Sequence, residues 1–217
     1  MKTALITGCR RGLGKELCNI FSFNEYNLIL NAKHNNDVYN NCNYVIGDIN
    51  HDNTINKLYD ACKFTGIDVL INNVGIYDDT LFLENSINNF TNVINTNFIS
   101  IVKLTHKILP LMIEKKEGII ININSIAGKN GSNRETAYSA SKHALKGFSD
   151  SLQFEITKLG IKILNVYLGA MQTDMTINRK EYKKLIDPAD AAKTIFNLVN
   201  QPDSLRITEI EINRNNY

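Results

Sequence analysis

The chain has 217 residues, enough to bury one substantial core, and a chain of this length usually forms one domain. Its 43% hydrophobic and 21% charged residues exclude a disordered or fibrous protein. The 24 Lys and Arg against 22 Asp and Glu leave a formal charge of +2, which excludes the basic footprint of a nucleic-acid binder or a polybasic membrane surface.

A strand is expected from Thr3 to Thr7, then a Gly-rich turn, then a helix with Leu13, Leu17, Ile20 and Phe21 on one face. Further strands follow from Asn27 to Asn31, Tyr44 to Ile46 and Asp68 to Ile71. Ile94, Phe98, Ile101, Val102, Thr105, Ile108 and Leu109 recur at helical spacing. The strand from Ile119 to Asn124 is nearly continuously apolar, as a strand covered by helices on both faces must be. A helix is expected from about Glu135 to Lys158, a strand from Lys162 to Tyr167, a helix after Asp187-Pro188 and a last strand from Arg206 to Ile212. No composition shift or repeat interrupts this order. The expectation is therefore a single α/β domain over 1–217, a doubly wound, Rossmann-like sheet of seven parallel strands, with ligands beyond the carboxyl ends of the strands.

The four cysteines, Cys9, Cys18, Cys42 and Cys62, form no C-x-x-C pair and have no His at zinc-ligand spacing, so reduced thiols and no metal site are expected. Met1 runs almost at once into a strand-like segment without a basic n-region and apolar core. No apolar run reaches the ~20 residues of a membrane-spanning helix. A cytoplasmic protein is expected. Asn is abundant, including Asn35, Asn36, Asn40, Asn41 and Asn43, and a base-composition bias in the gene explains this better than chemistry does.

The turn after the first strand reads Thr7-Gly8-Cys9-Arg10-Arg11-Gly12-Leu13-Gly14. Glycines there let the backbone turn tightly and approach a pyrophosphate, whose charge the free N–H groups and dipole of the following helix stabilise. A P-loop is excluded, because Cys9 stands where its first Gly must be and Glu16 replaces its hydroxyl residue. The spacing also departs from G-x-G-x-x-G, and a Gly-rich turn without a ligand remains the plainer alternative.

Tyr138 and Lys142 lie four residues apart on the expected Glu135–Lys158 helix, so both project from one face. An ammonium beside a phenol favours the phenolate and brings Tyr toward acid/base work near neutrality. Read alone, the pair is better explained as an exposed i,i+4 contact. Ser125 sits at the carboxyl end of the fifth strand, where its hydroxyl can donate to a carbonyl oxygen or simply cap a turn. Asn97 lies within an apolar helix, where a buried amide asks for a partner.

Together these residues resemble the short-chain dehydrogenase/reductase family in its compact single-domain branch, with a likeness to 3-oxoacyl reductases. TGCRRGLG is similar to the family's TGxxxGxG turn, and Asn72 to Gly75, NNVG, to its NNAG element. Asn97, Ser125, Tyr138 and Lys142 fall in order and spacing on its Asn-Ser-Tyr-Lys set. The resemblance implies Tyr138 as the general acid for carbonyl reduction, Ser125 orienting the substrate oxygen, Lys142 holding ribose hydroxyls and lowering the Tyr138 pKa, and Asn97 anchoring a relay water. It implies a dinucleotide site of Thr7, Gly8, Arg10, Arg11, Gly12, Leu13, Gly14, Lys33, Asp48, Ile49, Asn73, Val74, Gly75, Tyr138, Lys142, Gly169 and Thr173. Within that set Asp48 approaches the adenine, Asn73 the adenosine ribose and Thr173 the nicotinamide carboxamide.

The sequence departs from the family in three places. Val74 replaces Ala, a small change beside the cofactor, and Leu168-Gly169 replaces Pro-Gly, which predicts a less rigid loop toward Thr173. The segment 176–187 is shorter than the usual substrate lid and mostly polar, which predicts an open substrate mouth.

An NAD-selective site needs a carboxylate after strand two, but the sequence there is Leu30-Asn31-Ala32-Lys33. Lys33 with Arg10 or Arg11 instead suits a 2′-phosphate, so NADP(H) is the expected cofactor. Ile99, Leu111, Phe148 and Phe154 lie beyond one core stripe and suggest either a homo-oligomer through the helices containing Asn97 and Tyr138, or a broad intrachain core. The leading function is hydride transfer between NADP(H) and a small-molecule ketone, aldehyde or secondary alcohol. The alternative is a non-catalytic dinucleotide-binding redox sensor or scaffold on the same fold.

Overall fold

The structure, a computed structural model, describes residues 1–34, 42–202 and 204–215. Asn35, Asn36, Asn40 and Asn41 lie outside the described residues, and Asn43 opens a strand. The strands are β1 (Thr3–Thr7), β2 (Asn27–Ala32), β3 (Asn43–Ile46), β4 (Val69–Asn72), β5 (Gly118–Ser125), β6 (Ile161–Leu168) and β7 (Glu209–Ile212). All pair in parallel in the order β3-β2-β1-β4-β5-β6-β7. The order reverses between β1 and β4, which opens a crevice at their carboxyl ends.

Helices α1 (Gly12–Phe23) and α6 (Pro188–Val199) cover one face, where Leu17, Phe21 and Ile195 pack on Ile6, Ile71 and Val166. Helices α2 (Asp52–Thr65), α4 (Ser100–Lys115) and α5 (Thr136–Ile156) cover the other, packing on Leu5, Leu70, Ile120 and Ile163. Alternate residues of each central strand thus point into opposite layers, and both layers are apolar, which is why β5 reads as a run of isoleucines.

The sequence places β1 correctly and the inner strands to within a residue or two at each end, while β7 begins three residues later than expected. Its ladder partner starts late: the first paired residues are Asn165 and Glu209. Helix α6 starts as expected, with Pro188 in its first turn and the Asp187 carboxylate accepting from the Ala189 N–H at 2.8 Å. Helix α2 is not apparent from periodicity. Only Thr54, Ile55, Leu58 and Cys62 are buried along it, and Asn, Asp and Lys fill the rest, so its apolar stripe is narrow. Helix α3 (Ile87–Ile94), capped by Ser86, runs without a break through a π-helical turn, Asn95–Ile99, into α4.

Buried amides interrupt the apolar layer on the α4/α5 side. Asn72 of β4 donates to Asn122 Oδ1 at 2.8 Å and to Thr105 Oγ1 at 3.2 Å, and Asn122 donates to Ser149 Oγ at 2.8 Å. No described helix is long and apolar enough to cross a membrane.

Candidate active site

The turn between β1 and α1 takes its shape from three glycines. Gly8 and Gly12 have φ of +68° and +52°, in the left-handed region that disfavours a side chain. A Cβ on Gly14 would stand 2.1 Å from Gly8 O, so turn and helix approach as closely as backbone allows. No side chain caps α1 at Arg11, and its first turn has no acidic residue, so its leading N–H groups and dipole face the crevice open to an anion. Gly14→Ala is expected to abolish dinucleotide binding, read as loss of any thermal shift that a nicotinamide dinucleotide gives the unaltered protein.

The NNVG segment leaves β4 beside this turn and is fastened to it. Thr7 Oγ1 accepts from the N–H groups of Asn73 and Val74 at 3.0 and 3.2 Å. Asn73 Nδ2 donates to the carbonyls of Thr7 and Gly8 at 2.9 and 3.2 Å. The Asn73 amide, which the resemblance turns toward a ribose, therefore braces the glycine turn, and Thr7 lies beneath the cleft wall instead of in it. Val74, Gly75, Gly169, Thr173, Asp48, Ile49 and Leu13 line one cavity of about 960 Å³ with Gly8, Arg10, Arg11, Gly12, Gly14 and Lys33. Ser125, Tyr138 and Lys142 line its other end.

Ser125 closes β5, and its Oγ accepts from the Ala127 N–H at 3.2 Å, capping the following 3₁₀ turn. The cap leaves Ser125 at the cavity wall near Tyr138, whose pKa it lowers. Burial raises the pKa of Tyr138 above its ordinary value; Ser125 opposes the rise, Glu135 adds to it and Arg179 opposes it. The resemblance puts Lys142 in that lowering role, whereas here its Nζ donates to the Ile123 carbonyl at 2.9 Å and lies 5.8 Å from the centroid of the Tyr138 ring. Lys142 is only 4% exposed, and burial pushes its pKa down to about 8.

Asn97 stands in the π-helical turn, fully buried and outside the cavity wall. Its Oδ1 accepts from the Ile76 N–H at 2.8 Å, and its Nδ2 donates to Ile76 O at 2.9 Å and Ser141 Oγ at 3.1 Å. Ser141 Oγ in turn donates to the Tyr138 carbonyl at 2.6 Å. The amide thus has its partners, and it ties the chain after Gly75 to the turn of α5 that carries Tyr138. A π turn in a helix commonly marks a functional position of this kind.

Two of the cations expected to meet a phosphate are paired with carboxylates. Lys33 pairs with Asp48 at 2.8 Å and Arg11 with Asp174 at 2.7 Å. Burial pushes the Asp48 carboxyl up, but Lys33 and the Asn50 N–H outweigh it and hold the pKa below its usual range. The loop after Leu168 is held by strand pairing where the family uses proline. Gly169 N–H donates to Ile212 O, and a parallel bridge joins Met171 to Ile186, with the Gln172 N–H donating to Ile186 O at 2.9 Å. That bridge also fixes both ends of the expected lid, which continues as successive tight turns. Leu185 is buried and Tyr182 half-buried, while Met175 and Ile177 stay exposed, so apolar burial ties down the base of the segment and polar contacts, such as that of Glu181 with Arg214 at 2.8 Å, hold its outer part.

Of the residues considered for an interface, Leu111 packs into the core and Phe148 meets Phe98 edge-on at 6.2 Å, whereas Ile99 and Phe154 remain exposed. Sequence reasoning misses Ser141, Tyr77, Glu135, Arg179 and Asp174. Glu135 lies three residues before Tyr138 and Asp174 directly after Thr173, so proximity to motif residues is their only sequence signal.

A profile of the short chain dehydrogenase family matches residues 2–184. The mouse protein Dehydrogenase/reductase SDR family member 7 is 44% identical over 117 residues, which span 54% of this chain and 35% of that one. The 3-oxoacyl-[acyl-carrier-protein] reductase FabG of Buchnera aphidicola subsp. Schizaphis graminum is 34% identical over 194 residues, 84% of this chain and 80% of that one. The crystal structure of ElxO with NADP bound superposes with a TM-score of 0.86 at 27% identity, covering 97% of both chains. With its parallel sheet reversing at β1 and β4, its glycine turn pinned to NNVG, and Ser125, Tyr138 and Lys142 at one end of the resulting cleft, the chain belongs to the short-chain dehydrogenase family of oxidoreductases.

Proposed function

We propose that the protein reduces a ketone or aldehyde carbonyl with NADPH, or oxidises the corresponding secondary alcohol, with Tyr138 as the general acid/base. The observation that carries this is that Tyr138, a Ser125 hydroxyl oriented by a backbone N–H, and a buried Lys142 line the same cavity as the glycine turn. The uncapped N-terminus of α1, the Gly8–Gly14 close approach and a cavity of about 960 Å³ fit a dinucleotide. When bound, the nicotinamide supplies or accepts the hydride.

The chain's own residues manage the oxygen and the proton. Ser125 donates to the substrate oxygen, and Tyr138 gives that oxygen its phenolic proton in reduction and takes it back in oxidation. Because burial raises the phenol's pKa, the protonated acid is the form present near neutrality. Lys142 binds ribose hydroxyls by donation from Nζ, and Asn97 keeps the Ile76 turn and α5 in register. The name of the Buchnera relative supports a 3-oxoacyl thioester within the substrate range. Exposed Ile99 and Phe154 support a homo-oligomer through α4 and α5, and four free cysteines suit a cytoplasmic setting.

NADP(H) in preference to NAD(H) rests on Ala32-Lys33-His34 at the end of β2, none of which is acidic, and on Arg10 and Lys33 lining the same cavity, where the Asp48 carboxylate is paired with Lys33. Loss of reduced-nicotinamide absorbance with a carbonyl panel tests the activity; binding without turnover on any member of the panel would make the protein a sensor or scaffold. NADPH is expected to exceed NADH in efficiency, and Lys33→Ala to cut that preference about 10-fold, the worth of one charge-assisted hydrogen bond. Equal efficiency with both in the unaltered protein removes the NADP assignment.

A further inference from the structure

Three residues outside the family's motifs meet at the substrate end of the cleft. Tyr77 follows Gly75 by two positions, Glu135 precedes α5, and Arg179 belongs to the segment over the cleft. The Tyr77 hydroxyl donates to Glu135 Oε1 at 2.7 Å, and Arg179 Nη2 reaches the same hydroxyl at 3.5 Å. The Tyr77 ring meets the Tyr138 ring edge-on, with centroids 5.1 Å apart and planes at 76°. All three residues line the cavity.

An edge-to-face pair is favourable over a narrow range of positions, so the Tyr77 ring restrains the plane in which Tyr138 presents its hydroxyl. The Tyr77 ring is restrained in turn by its bond to Glu135 and by the chain at Ile76, which Asn97 holds on both sides. The remaining link is to Arg179, whose cation stays beside this cluster only while the 173–186 segment lies down.

We propose that Tyr77 is a positioning residue: its ring fixes the plane of Tyr138, and its hydroxyl, bridging Glu135 and Arg179, latches the segment over the cleft to the reacting end of α5. The effect on turnover rests on the carbonyl-reductase reading above; the latch itself does not.

The groups facing the Tyr138 phenol are the Ser125 hydroxyl from β5, Glu135 and Lys142 from the α5 region, Arg179 from the segment and the neutral Tyr77. Glu135 holds the phenol's proton more tightly and Arg179 loosens it. When the segment lifts, Arg179 leaves and the carboxylate stays, which tightens the phenol's hold on its proton, while water reaching the phenol relieves part of the burial that raises its pKa.

Two variants separate the latch from the charge. Tyr77→Phe keeps the ring and removes the bridge, while Glu135→Gln keeps an acceptor for Tyr77 and removes the carboxylate. Trypsin cleavage between Arg179 and Lys184 is expected to run about 2- to 10-fold faster in Tyr77→Phe, the worth of one hydrogen bond, and at the unaltered rate in Glu135→Gln. In NADPH-dependent reduction, Glu135→Gln is expected to move the alkaline limb of the kcat profile to lower pH, because loss of a neighbouring negative charge lets the phenol ionise sooner. Unchanged cleavage in Tyr77→Phe overturns the latch, and an unmoved limb in Glu135→Gln overturns its electrostatic part. If the unaltered protein binds NADPH but reduces nothing, the proposed activity fails and the cleavage rates still decide the latch.

Discussion

Tyr138→Phe is expected to lower turnover about 10²- to 10⁴-fold, the usual contribution of a positioned general acid, while NADPH affinity stays within a few-fold of the unaltered protein. The ring keeps its edge-on contact with Tyr77, and only the hydroxyl is lost. The pH dependence carries a sign as well. With the phenol's pKa raised by burial, reduction needs the protonated form and should hold through neutrality and fall only at alkaline pH. Oxidation of the alcohol needs the phenolate and should climb over the same alkaline range. Steady-state rates in both directions, with dinucleotide binding followed by fluorescence, check all of this; turnover in Tyr138→Phe equal to that of the unaltered protein would falsify the assignment.

Lys142→Met is expected to abolish dinucleotide affinity and turnover together and, against the usual direction for a core substitution, to raise the melting temperature of the protein without ligand. Burial depresses the Lys142 pKa from 10.5 to about 8, so folding disfavours its charged form. Below pH 8 both folded and unfolded chains hold the proton, and the folded chain bears the full desolvation cost, about 3 kcal/mol at 1.36 kcal/mol per pKa unit. Between about 8 and 10.5 the unfolded chain binds more protons, so stability rises with pH and the cost fades. Methionine fills a similar volume without charge, and the lost hydrogen bond to Ile123 O offsets part of the gain. A net gain of about 1–2 kcal/mol, at about 2–4 °C each for a chain of this size, should appear at pH 7 and shrink toward pH 10. A lowered melting temperature at pH 7 would show that the hydrogen bond to Ile123 outweighs desolvation.

The fold and the four motif residues are legible in the sequence because each depends on local information: the isoleucine run of β5, the Asp187-Pro188 helix start, and Asn97, Ser125, Tyr138 and Lys142 at fixed separations along the chain. What is not legible depends on residues brought together from afar. Tyr77, Glu135 and Arg179 are each unremarkable in their own stretches, and only the parallel topology sets them around Tyr138. The same holds for Arg11, expected from its place in the turn to meet a phosphate, whose carboxylate partner Asp174 is 163 residues away. Leu168 suggests a loose loop because proline is missing, yet the order there comes from the pairing of Met171 with Ile186. Helix α2 escapes notice for the opposite reason: its stripe is local but too narrow to stand out among Asn and Lys.

The amide pair across β4 and β5 has a consequence for how the site is aligned. A strand that reads Ile119-Ile120-Ile121 and resumes at Ile123 offers its neighbours nearly the same surface after a slip of two residues, since the side-chain period is two and both layers are apolar. Asn122 breaks that degeneracy, because only in the observed register does it stand beside Asn72, accept its amide hydrogen and reach Ser149. A two-residue slip one way would set Ile120 beside Asn72 and leave its amide among aliphatic side chains, and the other way would set Asn124 there but take Asn122 from Ser149 and Asn124 from the Lys142 carbonyl. It would also carry Ser125 about 6.6 Å along the sheet relative to NNVG, at about 3.3 Å per residue. The asparagines in the middle of the sheet thus act as an indexing mark, a polar feature set into a repetitive apolar ladder so that the serine at its end arrives opposite the tyrosine.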